Sequence, residues 1–238
     1  MVDGFAQEQM VKAGVEAPID ATTRLYAGLI IATFVIGLVV DRVWGLAGQL
    51  GVGIWSWLLM FRVIHTTPPR WRTPFFACLV WATAGEIFLS LVWGLYAYRL
   101  GNIPFFVPPG HVLLFWLGLV FAPRVSNLFV YGVAVAAFSY AGYALYTGFD
   151  AVSIVLVGLF LLCWSQPEGR RLYSVMLVVS LVLELYGTWI GNWIWQTNVP
   201  YFGLMSNNPP LAAGAFYCAL DVLVVLTART FGSAARAR

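Results

Sequence analysis

Residues 86–109 read EIFLSLVWGLYAYRLGNIPFFVPP, and residues 184–210 read ELYGTWIGNWIWQTNVPYFGLMSNNPP. The two stretches follow one pattern. Each opens with a glutamate inside an apolar run, Glu86 or Glu184. Gly94-Leu95-Tyr96-Ala97-Tyr98 then answers Gly191-Asn192-Trp193-Ile194-Trp195. Asn102-Ile103-Pro104-Phe105-Phe106 answers Asn198-Val199-Pro200-Tyr201-Phe202, and Pro108-Pro109 answers Pro209-Pro210. Upstream, Pro68-Pro69-Arg70-Trp71-Arg72 loosely matches Pro167-Glu168-Gly169-Arg170-Arg171. The two glutamates stand 98 positions apart. Shared order and spacing over this length point to an internal duplication.

The composition around these stretches sets the class. The 238 residues are 61% hydrophobic, 16% aromatic and 10% charged, with a mean hydropathy of +0.83. Soluble domains are about a quarter charged and about 45–50% apolar. A soluble globular fold, a disordered chain, collagen and a disulfide scaffold are all excluded. At about 20 residues per span, the length allows roughly eight transmembrane helices and no sizeable soluble domain. The expected fold is therefore an all-α integral membrane protein.

The apolar runs divide accordingly. Leu25 to Phe61 is too long for one span, and Gly45, Gly48, Gly51 and Gly53 mark a tight turn between two. Further spans fall at 74–98, 109–122, 125–146, 151–164, 172–195 and 211–228. The organisation is a polar arm (1–23), a first four-helix repeat (24–122), a second (123–229) and a basic tail (230–238). Nine arginines (62, 70, 72, 124, 170, 171, 229, 236 and 238) fall on one side of this arrangement. Only Arg42 and Arg99, with Asp41 and Asp150, fall in the opposite loops. The positive-inside rule then puts both termini in the cytoplasm, as for a bacterial inner or plasma membrane protein. An even number of spans per unit makes the repeats parallel, so matching residues are expected to face one another across a central cleft.

Three acids lie inside apolar spans: Glu86, Glu184 and Asp221. A charge at the bilayer centre costs at least about 2.5–3.5 kcal/mol on insertion scales. Such acids face the protein interior, where a protonated carboxyl group can serve as a proton donor. The matched placement of Glu86 and Glu184, with Asp221 from the adjacent span, suggests one catalytic site. The plain alternative is that each acid hydrogen-bonds a neighbouring helix.

Around them, Trp93, Tyr96 and Tyr98 answer Trp189, Trp193 and Trp195. These aromatics read either as a headgroup belt or as a substrate-binding wall, since aromatic faces stabilise cations. Helical i, i+2 spacing puts only one of each pair, Tyr96/Tyr98 and Trp193/Trp195, toward the interior. His111, at the mouth of the fourth span, is a further substrate-binding candidate, and Leu211 is its neighbour in the second repeat. Asn207 and Asn208 offer polar contacts from an outer loop that could form a lid.

Other classes are disfavoured. One lysine, Lys12, stands against twelve arginines, which argues against a retinal Schiff base. Cys78, Cys163 and Cys218 are far apart in sequence and read as small core residues. Two distant histidines do not support a metal site. The net charge of +3 reads as a topology signal and not as nucleic-acid binding. No P-loop, HExxH or GxSxG pattern is present.

The paired Gly-x-aromatic-x-aromatic elements, each followed by a proline loop, resemble the small tandem-repeat membrane enzymes of carotenoid biosynthesis. These are the lycopene cyclase and carotenoid hydratase type. The resemblance covers about a quarter of each half. It implies two homologous multi-span halves and an isoprenoid substrate. The cyclases carry a Pro-x-Glu-Glu type acidic pair where this chain has Pro108-Pro109-Gly110-His111 and Pro209-Pro210. Their catalytic acids therefore do not carry over, and Glu86, Glu184 or Asp221 must serve instead.

The leading expectation is an enzyme acting on a long apolar isoprenoid or other lipid by carbocation chemistry, without a cofactor. Cyclisation, hydration and isomerisation all fit. The rivals are a proton-coupled transporter or channel and a lipid-binding accessory subunit of a membrane complex. The substrate and the oligomeric state are not legible.

Overall fold

The computed structural model describes residues 20–236, with side chains to residue 230. The polar arm, up to residue 19, lies outside the described residues, as do Arg238 and the side chain of Arg236 in the basic tail.

The Asp20 carboxylate accepts from the Thr23 amide at 2.7 Å, satisfying one orphan donor of the first turn. Helix α1 then runs Ala21–Thr66. A straight helix of 46 residues would span about twice the thickness of a bilayer core. This one is folded in two. Gly45 adopts φ 59°, ψ −137° within it, a conformation open to glycine and strained for other residues. Trp55 Nε1 donates to Thr33 Oγ1 at 2.8 Å, and Gly37 packs against Val52. These contacts cross Gly45, so α1 is an antiparallel helical hairpin. The reversal falls in the glycine-rich stretch where the sequence placed a turn.

The remaining elements are α2 (Arg72–Glu86), β1 (Tyr96–Tyr98), α3 (Val107–Phe121), α4 (Asn127–Thr147) and α5 (Ala151–Trp164). They are followed by α6 (Arg170–Ile190), β2 (Trp193–Trp195) and α7 (Gly214–Arg236). A π-helical turn, Ile87–Val92, extends α2. The sequence reading carried the third and seventh spans to residues 98 and 195. The helical structure instead stops at Val92 and Ile190. Gly94 at φ +73° and Gly191 at φ +81° turn the chain, and the aromatic triplets become strands.

Among the described residues, four helical stretches are long and apolar enough to cross a membrane: Ala21–Thr66, Pro69–Val92, Asn127–Thr147 and Pro167–Ile190. These stretches and the shorter apolar helix α5 turn large apolar side chains outward. Phe138 and Leu162 are 68% and 69% exposed. A surface of that kind suits lipid and would be a liability in water.

Four helices form a ring at the centre. α2 packs on α3 and α7, and α6 packs on the same two. α2 thus lies opposite α6, and α3 opposite α7. The α1 hairpin packs on α3 and α6, while α4 and α5 cover α6, and α5 also packs on α7. One end of the ring is closed by β1 and β2, which pair antiparallel with Tyr96 opposite Trp195, Ala97 opposite Ile194 and Tyr98 opposite Trp193. A half-turn about the Ala97–Ile194 pair exchanges the two strands.

Candidate functional site

Each strand delivers two aromatic side chains to one carboxyl group. In a strand, residues i and i+2 share a face. Tyr96 and Tyr98 are therefore both buried while Ala97 is exposed, and Trp193 and Trp195 are both buried while Ile194 is exposed. This corrects the helical expectation that one of each pair would turn to lipid. The Tyr96 and Tyr98 hydroxyls donate to Oε2 of Glu86 at 2.8 and 2.7 Å. The Trp193 and Trp195 indole N–H groups donate to Oε2 of Glu184 at 2.8 and 3.0 Å.

The two halves reach this match with unequal chain lengths. Tyr96 follows Glu86 by 10 residues, and Trp193 follows Glu184 by 9. The π-helical turn directly after Glu86 takes up the extra residue, because i→i+5 bonding widens the turn. Glycine makes the second half fit. A Cβ at Gly187 would lie 2.0 Å from the Trp193 ring. The indole can therefore lie on α6 and reach Glu184 only because position 187 has no side chain.

The opposite helices complete the site. Tyr217, on α7, donates its hydroxyl to Oε1 of Glu184 at 3.0 Å. Nε2 of His111, on α3, lies 3.5 Å from Oε1 of Glu86, and its Nδ1 contacts the Val107 carbonyl at 3.0 Å. The His111 and Tyr217 rings stack with centroids 5.1 Å apart and planes 10° from parallel. His111 thus stands to Glu86 as Tyr217 stands to Glu184, while Leu211, near the corresponding place in the sequence, does not line the cavity.

Both glutamates border one cavity of about 990 Å³, counting its open mouth. Tyr96, Tyr98, His111, Trp193 and Trp195 line it with them. Its lining includes Phe34, Val52 and Ser56 from both arms of the α1 hairpin, but nothing from α4 or α5. α2 and the α1 hairpin form no packed interface with one another, whereas α6 packs on both α4 and α5. The cavity therefore occupies the side where the α1 hairpin stands away from α2. Among the described residues no lysine or arginine lines it, so it offers no fixed cation to a phosphate or carboxylate. No group of described His, Cys, Asp and Glu side chains is arranged to hold a metal ion.

Five residues assigned to the site from the sequence lie elsewhere. Asp221 is fully buried but does not line the cavity, and neither carboxyl oxygen has a hydrogen-bond partner. It sits within electrostatic reach of Cys78, Cys163 and Cys218, so the three cysteines, scattered in sequence, gather around it. Trp189 is 81% exposed on the outside of α6. Trp93 donates to the Pro200 carbonyl and packs on Phe202. The side chain of Asn208 accepts from the Trp195 amide, and the Asn207 amide donates to Asp150. These last three brace the outer loops and do not line the cavity.

Sequence reasoning also missed two acids, Asp41 and Asp150, which it counted as loop charges. Both are buried. Arg99 donates to the Asp41 carbonyl at 2.7 Å and pairs with its carboxylate at 3.4 Å, and Asn192 donates to the same carboxylate at 2.5 Å. Asp150 accepts from Tyr140, Ser153 and the amides of Asn207 and Leu211. Each acid sits where a helical pair reverses. Asp41 ties the first pair to the residues flanking the two strands, and Asp150 ties the second to the loop before α7. The only sequence signal was their matching position after the first span of each half.

No protein-family model matches this chain, nor does any curated protein or solved structure.

Proposed function

We propose that the chain is an eight-span membrane protein of two parallel four-helix repeats, and that its central cavity is an active site. The substrate is a long apolar lipid of the isoprenoid or carotenoid class. The reaction is acid/base carbocation chemistry: cyclisation, hydration or isomerisation. One carboxyl group protonates a C=C bond or an epoxide, the aromatic walls stabilise the cation, and the second carboxylate accepts a proton or orients water.

The observation that carries this reading is the pairing of two repeat-related carboxyl groups in one aromatic cavity that lacks a fixed cation. The resemblance to carotenoid cyclases and hydratases points to the same substrate class. Proton-coupled transport is less well supported. Apart from the groups bonded to Glu86 and Glu184, the lining is mostly apolar, and among the described residues Thr33 and Ser56 are its only aliphatic hydroxyls.

The test is the lipid that stays bound on gentle purification, identified by mass and absorption spectrum. Its turnover is then followed in Glu86→Gln and Glu184→Gln. Full turnover in both variants sinks the mechanism.

A further inference from the structure

The two carboxyl groups are placed alike but bonded differently, and the difference assigns their roles. We infer that Glu86 and His111 together hold the transferable proton, while Glu184 is the fixed anion that receives one. The chemical role rests on the acid/base reading above; the location of the proton does not.

A carbonyl oxygen can only accept, so the 3.0 Å contact with Val107 places a hydrogen on Nδ1 of His111. In a neutral ring Nε2 then carries a lone pair. It faces Oε1 of Glu86 at 3.5 Å. The other oxygen of Glu86 already accepts from two tyrosine hydroxyls. Without a proton between them, Nε2 and Oε1 would present lone pairs to each other in a buried site, which is costly. One proton resolves this, either as a carboxylic acid donating to nitrogen or as an imidazolium donating to carboxylate. In both forms the pair carries the same single mobile proton.

Glu184 has no such need. Two indole N–H groups, which can only donate, occupy its Oε2, and the Tyr217 hydroxyl occupies Oε1. Three donors suit a carboxylate. The titratable groups around the Glu86–His111 pair are Tyr96 and Tyr98 on β1, Tyr217 on α7 and Glu184 on α6. Among these only Glu184 brings a negative charge. Its Oε1 accepts from Tyr217, whose ring stacks on His111.

The step balances within the site. The π electrons of a substrate C=C bond form a new C–H bond with the pair's proton, leaving Glu86 ionised and His111 neutral. A cation develops on the neighbouring carbon. A C–H bond beside the cation then breaks, its electrons form a new C=C bond, and Glu184 takes the proton. Return of that proton to the pair resets the site without a cofactor. The long 3.5 Å contact fits a site without its ligand, since catalytic hydrogen bonds often tighten only when substrate is bound.

The test needs no substrate. ¹⁵N-histidine spectra of the whole protein in lipid nanodiscs contain two rings, His65 and His111, and His65→Asn identifies which is which. At neutral pH the account expects Nε2 of His111 to be protonated or hydrogen-bonded. It expects a free lone pair there in Glu86→Ala and a wild-type signal in Glu184→Gln. A free lone pair at Nε2 in the wild type overturns the proposal, whether or not the alanine variant folds. In the activity assay, His111→Phe keeps the stack but removes Nε2, and turnover should fall by about 10²-fold or more. Histidine spectra as expected, with no lipid turnover in the wild type, would sink the enzyme reading and leave the shared proton standing.

Discussion

The rings of His111 and Tyr217 stack face to face, 5.1 Å between centroids. Each reaches the glutamate of its own half. The stack therefore joins two carboxyl clusters that the sequence shows only as separate acids 98 positions apart. It comes from α3 and α7, which lie across the ring from each other.

Glutamine at either acid should leave the fold intact and remove the chemistry. In Glu86→Gln the amide oxygen keeps both tyrosine bonds and the amide NH₂ donates to His111, but no transferable proton remains. In Glu184→Gln the oxygen keeps both indoles and the NH₂ turns to Tyr217, whose hydroxyl can accept. Turnover should fall by about 10²–10⁴-fold in each, with thermal unfolding close to wild type. A large loss of stability in both would mean that the acids serve the fold.

Gly85 and Gly187 should respond oppositely to alanine. A Cβ at Gly85, in the cavity wall beside Glu86, meets nothing within 4 Å, whereas one at Gly187 lies 2.0 Å from Trp193. Gly85→Ala should be silent in unfolding and in ligand retention. Gly187→Ala should destabilise by about 1–3 kcal/mol through overpacking and quench the tryptophan environment at Trp193. A larger side chain, Gly85→Trp, should fold yet lose the bound lipid, because it fills the space between α2 and the α1 hairpin. Retention of lipid by that variant would move the ligand elsewhere.

What the sequence revealed and what it hid follow from the range of the signals. Glu86 and Glu184 stood out because an acid in an apolar run is rare at any range. The strands did not, because Tyr96-Ala97-Tyr98 and Trp193-Ile194-Trp195 extend continuous apolar runs that read as helix ends. Only Gly94 and Gly191 hinted at the break, and each supplies a positive φ. The role of Tyr217 was invisible, since it depends on α7 packing beside α6 and on a ring stack with His111 from α3, 106 positions earlier in the chain. Asp41 and Asp150 were misread because a loop acid is usually solvated, and their burial is set by residues up to 151 positions away.

Asp221 should be dispensable. Its carboxyl group is buried without a hydrogen-bond partner, an arrangement that costs about 1–3 kcal/mol. Asp221→Leu should therefore unfold at a higher temperature than wild type and keep its turnover. Loss of turnover with normal stability would return Asp221 to the mechanism.

Asp41 should matter for assembly of the outer end. Its carboxylate holds Arg99 and Asn192, on either side of the paired strands. Asp41→Ala leaves Arg99 without its counter-charge and should destabilise by about 3–5 kcal/mol. Asp41→Asn should cost less. Equal stability of the two variants, read by thermal unfolding, would show that the ion pair contributes little.

The central claim is that Glu86 and Glu184 act on an apolar lipid as acid and base. Its most direct test is the mass spectrum of lipids extracted from membranes bearing wild type, Glu86→Gln or Glu184→Gln, each present at equal amounts. The account predicts that one apolar lipid is converted in the wild-type membranes and remains unconverted in both variants. Conversion to the same extent in all three would contradict it.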